Sequence, residues 1–308
     1  MPRIAVVGAG QFGQNHCRIV RQSTRAELVA IVDTDPSRGD LTDFRALAGK
    51  VDAAIVATPT SSHAEIGCWL LEQGIDVLVE KPIAPDLESA GRLVAAAREH
   101  TRILQVGHLE RLNPAVTALE KRLTLPLFFE IHRLSVFSPR SLDVDVILDL
   151  MIHDIDIVLS LTNAEPVEIR AAGVSILSSK VDIANVRLQF PNGCVANLTA
   201  SRVSTERVRK LRLFQPQQYI SLDYARPELL IFSVGKDRQV SFEPVPLTKA
   251  EPLQLQFDAF LDSIESRNLP KTSGPVARQT LQVALAILDK IKEHSEIVSQ
   301  SLAGEWKL

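Results

Sequence analysis

The chain has 308 residues, 45% of them hydrophobic and 23% charged, with a net charge of -3 from 34 basic and 37 acidic side chains. That balance leaves no electrostatic footprint for nucleic acid or an anionic membrane surface, and no apolar run approaches the roughly 18 residues that span a bilayer. The length favours two domains over one. Cys17, Cys68 and Cys194 are isolated and lack CxxC spacing. They are expected to be reduced core or helix residues of a cytoplasmic protein, not a disulfide or zinc framework. With a strand expected from Arg3 onward, no signal peptide is expected.

The first 110 or so residues alternate apolar strands with helices. Strands are expected at Arg3–Val7, Glu27–Asp33, Ala53–Ala57, Asp76–Val79 and Ile103–Val106, with helices at Gly13–Arg21, Ser62–Gln73 and Leu87–His100. Strands that are apolar throughout and separated by helices predict a doubly wound parallel sheet covered on both faces. The polar link from Asp33 to Ala53 has room for a single helical turn. Asn113-Pro114 offers an N-cap followed by proline at the first helical position. Beyond Lys121 the pattern changes. Phe128–Phe137 alternates as a strand, and a further helix and six strand-like runs follow: Glu168–Leu177, Ala184–Phe190, Val195–Ser201, Arg209–Gln215, Tyr219–Asp223 and Glu228–Val234. This series predicts a large, open, mostly antiparallel sheet with helices on one face. Leu281, Ala284, Leu285, Leu288 and Ile291 form the stripe of a closing helix over Val276–Ile291. The expected division is a dinucleotide domain at 1–120 and a substrate and oligomerisation domain at 121–308.

Gly8-Ala9-Gly10-Gln11-Phe12-Gly13 fits GxGxxG. It follows a buried strand, opens a helix, and precedes Asp33 at the end of the next strand by 20 residues, which is the context that gives the pattern meaning. Gly8 permits the turn, Gly10 lets the backbone approach a pyrophosphate, and Gly13 allows close helix–strand packing. The helix start, with Gln11 and Phe12, offers amide donors to phosphates. Asp33 is placed to accept hydrogen bonds from ribose hydroxyls and to repel a 2′-phosphate, so NAD is expected over NADP. Arg38 is read as a solvated loop charge. Glu80-Lys81-Pro82 stands at the carboxyl end of a strand, the edge where open α/β sheets bind ligands. Thr58-Pro59 with His63, and Gln105 with His108, stand at two other strand ends.

The helix through residues 145–160 is inverted. At about 100° per residue, Asp145, Asp149, His153, Asp156 and Ser160 share an arc of roughly 80°, while nearly everything else is Ile, Val, Leu or Met. Asp154 alone points elsewhere. A mostly buried helix with a thin acidic and histidine stripe is a candidate for proton handling, because buried charge is costly unless it is paired or used. A structural i,i+4 pair is the duller reading. No third and fourth ligand accompanies Asp149 and His153 at a metal-binding spacing, so no metal is expected.

On the glycine fingerprint, Thr58-Pro59 with His63, Glu80-Lys81-Pro82 and Asp149-xxx-His153, the chain resembles the Gfo/Idh/MocA oxidoreductases over its whole length. The resemblance implies a Rossmann domain plus an α/β domain on an open sheet, and hydride transfer between a nicotinamide and a carbohydrate or cyclitol hydroxyl. It also implies catalytic roles for Lys81, Asp149 and His153, and a cis peptide before Pro82. Gly8, Gly10, Gln11, Phe12, Gly13, Asp33, Thr58, Pro59, His63, Glu80, Lys81 and Gln105 are the expected cofactor contacts. Residues 107–114 (GHLERLNP) and 148–154 (LDLMIHD) resemble the branch that oxidises the 3-hydroxyl of UDP-N-acetylglucosamine ahead of an aminotransferase. The glycine pair usual before the catalytic helix is replaced by Ser141–Val146.

A histidine of near-neutral pKa suits removal of a hydroxyl proton. His153 as base with Lys81 stabilising the alkoxide, and Lys81 as base, are both open on sequence. For a nucleotide sugar, His108, Arg140 and Arg202 are candidate substrate contacts, although a structural role for each arginine is equally consistent. Other functions consistent with the residues are a free-sugar or cyclitol dehydrogenase and a redox-neutral NAD-dependent glycosidase. A nonenzymatic NAD(H) sensor is a fourth, although it would have no use for Lys81, Asp149 and His153 together. An open sheet must cover its second face, and the resemblance implies that a second subunit does so, which makes a homodimer or homotetramer the expectation.

Overall fold

The computed structural model describes residues 1–137, 144–226, 228–235 and 237–305. In chain order the first elements are β1 (Arg3–Val7), α1 (Gln11–Gln22), β2 (Glu27–Val32), β3 (Ala53–Val56), α2 (His63–Glu72), β4 (Asp76–Val79), α3 (Leu87–Glu99), β5 (Leu104–Val106) and α4 (Pro114–Glu120). Then come β6 (Phe128–Val136), a π turn (Ile147–Met151), α5 (Ile152–Thr162), β7 (Glu168–Val174), β8 (Ile183–Gln189), β9 (Val195–Ser204) and β10 (Val208–Gln215). β11 (Gln218–Asp223), β12 (Glu228–Val234), β13 (Val240–Val245), α6 (Pro252–Ser266) and α7 (Gly274–Glu305) complete the series.

These elements form two compact units, one of residues 1–112 with 250–281, the other of 113–249 with the chain from Gln282 onward. This differs from the single cut expected after residue 120. α4 contributes Ala115, Val116 and Leu119 to the second core. α6 returns Leu253, Phe257, Phe260 and Leu261 to the first. Both helices are short of polar surface on one side and must bury it in the unit they cover.

In the first unit five parallel strands run in the order β2-β1-β3-β4-β5. β3 and β4 are buried along their whole length, as expected when helices cover both faces. α2 packs on α3, and α1 on α6. The link after β2 holds one 3₁₀ turn, Phe44–Leu47. Asp86 caps α3 by accepting from the Ser89 amide at 2.7 Å, an interaction worth about 1 kcal/mol.

The second unit is an eight-stranded sheet in the order β13-β12-β11-β10-β6-β9-β8-β7. Every pairing is antiparallel except β6 with β9. Side chains from α4, α5 and the later turns of α7 fill its core with Phe129, Ile131, Leu211 and Leu213. On α7 the buried set adds Val283 and Ile287 to the expected Leu281, Ala284 and Ile291, while Leu288 packs against the core partly buried and Leu285 is half-buried. Phe128, Phe214, Tyr219, Phe232 and Phe242 form a row of rings across the other face, with successive centroids 5.7, 5.0, 5.3 and 5.0 Å apart. All three cysteines are free thiols, and Cys17 and Cys194 are buried. No helix of the described residues is long and apolar enough to cross a membrane.

Candidate active site

Parallel strands place all their carboxyl ends on one edge, and the loops there build a dinucleotide cradle in the first unit. Gly8 has a φ of +94°, and a Cβ on it would lie 2.7 Å from the Ala57 carbonyl oxygen. A Cβ on Gly13 would lie 1.8 Å from the Gly8 oxygen. These two positions demand glycine for the protein's own packing. Gly10 does not: a Cβ there meets nothing within 4 Å. Gly10 is also the N-cap of α1 and supplies no side-chain acceptor to the helix start, which carries Gln11 and the half-exposed Phe12. Open space above a helix N-terminus with no cap of its own suits an anion.

Asp33 accepts hydrogen bonds from the amides of Ala9 at 2.7 Å and Asp35 at 2.9 Å. Those donors fix its carboxylate beside the glycine loop, with lone pairs left over for ribose hydroxyls. A cavity of about 480 Å³ runs along this edge, lined by Gly8, Gly10, Asp33, Thr42, Phe44, Thr58 and Pro59 among others. Arg38 also reaches it and pairs with Asp35 at 3.1 Å on the surface. The residues present therefore fit NAD: amides for the pyrophosphate and a carboxylate for the ribose.

Two buried histidines hold the turn that carries Lys81. His16 Nε2 lies 2.8 Å from Glu80 Oε1, both groups nearly fully buried. Glu80 Oε2 accepts from the Lys81 amide at 3.3 Å. Gly107 makes room for that carboxylate, since a Cβ there would stand 2.6 Å from Oε2. The Lys81-Pro82 peptide is cis, as the family likeness implied. His63 bridges two strand ends, with Nδ1 3.0 Å from the Pro82 oxygen and Nε2 2.9 Å from the Thr58 oxygen. Burial pushes its pKa below the usual histidine range, outweighing the two carbonyls and the nearby Glu80, which favour the charged ring. Lys81 itself is half-buried.

Glu80 and His63, expected at the cofactor, are thus seen bonding to protein groups that shape the cradle. Gln105 does the same: it is buried, and its amide donates to the Gln256 carbonyl of α6 at 2.9 Å. His108 is buried just after β5. His16 was missed in the sequence, although its place three residues after Gly13 on α1 is a usable signal. Gln256 was missed with α6.

In the second unit the inverted helix is buried as expected. Among its polar residues, Asp154 and Asp156 are buried and Asp149, His153 and Ser160 are half-buried. The residues do not all follow one 100° helix, however. Ile147–Met151 forms a π turn, so Asp149 lies on wider i→i+5 winding and the regular helix starts only at Ile152. Asp145 precedes both. Its carboxylate accepts from the Val181 amide at 2.8 Å, and its carbonyl accepts from the amides of Leu148 and Asp149 at 3.0 Å each. It therefore anchors the helix entry and is not part of the stripe. Asp154 takes a two-pronged bond from Arg133, Nε to Oδ2 at 2.8 Å and Nη2 to Oδ1 at 2.7 Å, with each side chain 2% exposed. Arg133 follows Phe129 and Ile131 on the core face of β6, and a charge at that parity was the missed signal.

Arg202 is buried and engaged: it lies 3.7 Å from Asp182 and donates to the Val144 carbonyl. This gives it a structural task in holding the helix entry. Burial would raise the Asp182 pKa, but the amides of Leu177, Ile176 and Ser178 and the Ser178 hydroxyl hold it below the ordinary carboxylate range. Arg140 and the start of the Ser141–Val146 loop lie outside the described residues.

Comparison with known proteins matches residues 2–108 to the model "Oxidoreductase family, NAD-binding Rossmann fold" and 132–217 to the "GFO/IDH/MocA C-terminal domain". The UDP-N-acetylglucosamine 3-dehydrogenase of Acidithiobacillus ferrooxidans is 35% identical over 301 residues, covering 92% of this chain and 96% of that one. The solved structure of that enzyme superposes with a TM-score of 0.90 at 34% identity, over 95% of this chain and 98% of that one. An inositol 2-dehydrogenase of Rhizobium meliloti (strain 1021) is 27% identical over 324 residues, covering 96% of this chain and 98% of that one. With both units matched and a relative above 30% identity along nearly the whole length, the chain belongs to the Gfo/Idh/MocA family of NAD-dependent oxidoreductases.

Proposed function

We propose that this dehydrogenase oxidises the 3-hydroxyl of UDP-N-acetylglucosamine to the 3-keto sugar. The observation that carries the reading is the 35% identity, over 92% of this chain, to a UDP-N-acetylglucosamine 3-dehydrogenase. The inositol 2-dehydrogenase matched along nearly the whole chain is more distant, at 27%, and another inositol 2-dehydrogenase reaches 33% only over 50% of it, which ranks cyclitols second.

Bound NAD supplies the hydride acceptor. His153 is assigned the proton of the substrate hydroxyl, with Asp149 orienting its ring and stabilising the imidazolium, and Lys81 is assigned the stabilisation of developing alkoxide charge. The buried His16–Glu80 pair and the Glu80–Lys81 amide bond support this role for Lys81 by fixing the backbone from which it extends. The 3-keto product is the kind of carbonyl that an aminotransferase converts to a 3-amino sugar, and that reaction is the expected next step.

The chain acts as a homodimer or homotetramer through the outer face of the eight-stranded sheet. The support is the row of five rings there, with Phe242 56% and Phe214 38% exposed, since apolar surface of this extent favours a partner.

The position of oxidation is testable with UDP-N-acetylglucosamine deuterated at C3. Mass spectrometry of the cofactor should find deuterium in the NADH. Undeuterated NADH, or none from this sugar when myo-inositol yields it, would remove the reading.

A further inference from the structure

We infer that a basic pocket at one end of the eight-stranded sheet is the subsite for the diphosphate of a nucleotide sugar. The inference rests on the nucleotide-sugar reading and deepens it. The pocket has a volume of about 160 Å³ and is lined by Arg207, Arg209, Lys210 and Arg226, with Glu206 and Asp223. Lys210 and Asp223 alternate onto the outer face with Phe214 and Tyr219 and offset one another, which leaves Arg207, Arg209 and Arg226 against Glu206, an excess of two cations in a chain whose net charge is -3. Asp223 is partly spent within the protein. It accepts from the amides of Ala225 at 2.9 Å and Arg226 at 3.2 Å, bonds that shape the turn presenting Arg226, and it lies 3.8 Å from Lys210.

Strand directions put this pocket at the end of the sheet that holds the helix carrying Asp149 and His153. β6 and β9 are parallel and run out together, with Leu134 opposite Ser201 and Val136 opposite Ser204. β10 starts at that end, with Val208 opposite Leu134. β11 finishes there, with Asp223 opposite Lys210. The turns carrying Arg207 and Arg226 therefore share one edge. The entry to the catalytic helix is tied to the same edge, because Arg202, just past Ser201, holds the Val144 carbonyl. Arg209 is the direct cross-strand partner of Arg133, which grips Asp154 next to His153. Cross-strand partners have Cα atoms only about 5 Å apart. The Tyr224 ring covers Arg133, and the Tyr224 amide donates to the Arg209 carbonyl at 2.9 Å.

A diphosphate diester carries two negative charges at neutral pH, which matches the excess of two cations. Arginine forks bind phosphate oxygens bidentately, with a directionality that lysine lacks. The pocket is too small for a whole nucleotide, so the uridine and the sugar would extend from it on either side. A free sugar or a cyclitol would leave it unused.

The test is the double variant Arg207→Gln/Arg226→Gln of the full chain with NAD, beside the surface control Arg170→Gln. Both altered side chains are exposed turn residues, so the fold should survive. UDP alone and inorganic pyrophosphate are titrated by calorimetry, and KM and kcat are measured with UDP-N-acetylglucosamine. The inference expects UDP and pyrophosphate affinity to fall at least tenfold in the double variant and not in the control, with KM rising by more than kcat falls. Equal UDP binding by wild type and double variant, or no UDP binding by wild type, would overturn it. Arginine-dependent UDP binding without oxidation of the sugar would keep the subsite and discard the proposed substrate. Oxidation with an unchanged KM would keep the substrate and discard the subsite.

Discussion

Gly10 and Gly13 lie three residues apart in the same motif, yet adding one methyl to each should do opposite things. The Cβ of alanine at 13 would stand 1.8 Å from the Gly8 carbonyl oxygen, a distance no rotamer relieves, so β1 and α1 must separate. The expected cost is about 3 kcal/mol or more, in the range of severe overpacking. At Gly10, φ is -64° and ψ is -176°, which any residue adopts, and the added Cβ has no protein atom within 4 Å. The entropic gain of Gly→Ala, about 0.4–1 kcal/mol, is set against the loss of a preferred N-cap residue. Net stability should therefore change by less than about 1 kcal/mol. The methyl instead occupies the space through which a pyrophosphate approaches α1, and NAD affinity should fall at least tenfold, about 1.4 kcal/mol. Urea unfolding and calorimetric NAD titration of both variants separate the two effects. A Gly10→Ala protein that binds NAD as wild type does would refute the placement of the pyrophosphate over Gly10.

Removing either member of the buried Arg133–Asp154 pair should destabilise the second unit by about 3–5 kcal/mol, whereas the double change Arg133→Met/Asp154→Leu should cost much less, because a lone buried charge is worse than none. A double-mutant cycle by urea unfolding measures this, and additive losses would contradict it. The lowered His63 pKa means that the unfolded chain takes up a proton before the folded one as pH falls. Its contribution to stability is present above about pH 6.5 and declines as pH drops from there to the folded value. His63→Gln should flatten unfolding free energy against pH over that window, by at most about 1.4 kcal/mol per pH unit, and an unchanged slope would count against the argument. Burial pushes the Cys194 thiol to about 11 and also raises Cys17 and Cys68. At pH 8 about one Cys194 in a thousand is then thiolate. A disulfide reagent should therefore label the native protein slowly and reach three thiols only in denaturant.

The dinucleotide unit was legible because its signals are local. Buried strands β1 and β4 fall on the expected residues, and at the start of the second unit an equally local signal was borne out: Asn113 caps α4, accepting from the Ala115 amide at 3.0 Å. What escaped the sequence depends on distant partners. β13 is exposed along nearly its whole length and carries Pro244, so it shows no alternation, and only pairing with β12 makes it a strand. α6 returns to the first unit across more than a hundred residues, which no window can register. The π turn replaces 100° winding at the residues where the polar face was drawn, so Asp145 was assigned to the wrong group. Among site residues, the glycines, Asp33 and the Glu80-Lys81-Pro82 turn were readable from spacing. What Glu80, His63 and Gln105 bond to was not, since His16, the Pro82 carbonyl and Gln256 are remote in sequence.

The central claim is tested most directly by mixing the NAD-loaded enzyme, at near-stoichiometric concentration, with UDP-N-acetylglucosamine and following NADH absorbance. Alcohol oxidation by NAD runs uphill, so a single turnover at high enzyme concentration is the informative regime. The account predicts a burst of NADH approaching one per site, absent with free N-acetylglucosamine and lost in Lys81→Ala and His153→Ala proteins that still bind NAD. No burst from NAD-loaded enzyme, or an equal burst from the free sugar, would contradict it.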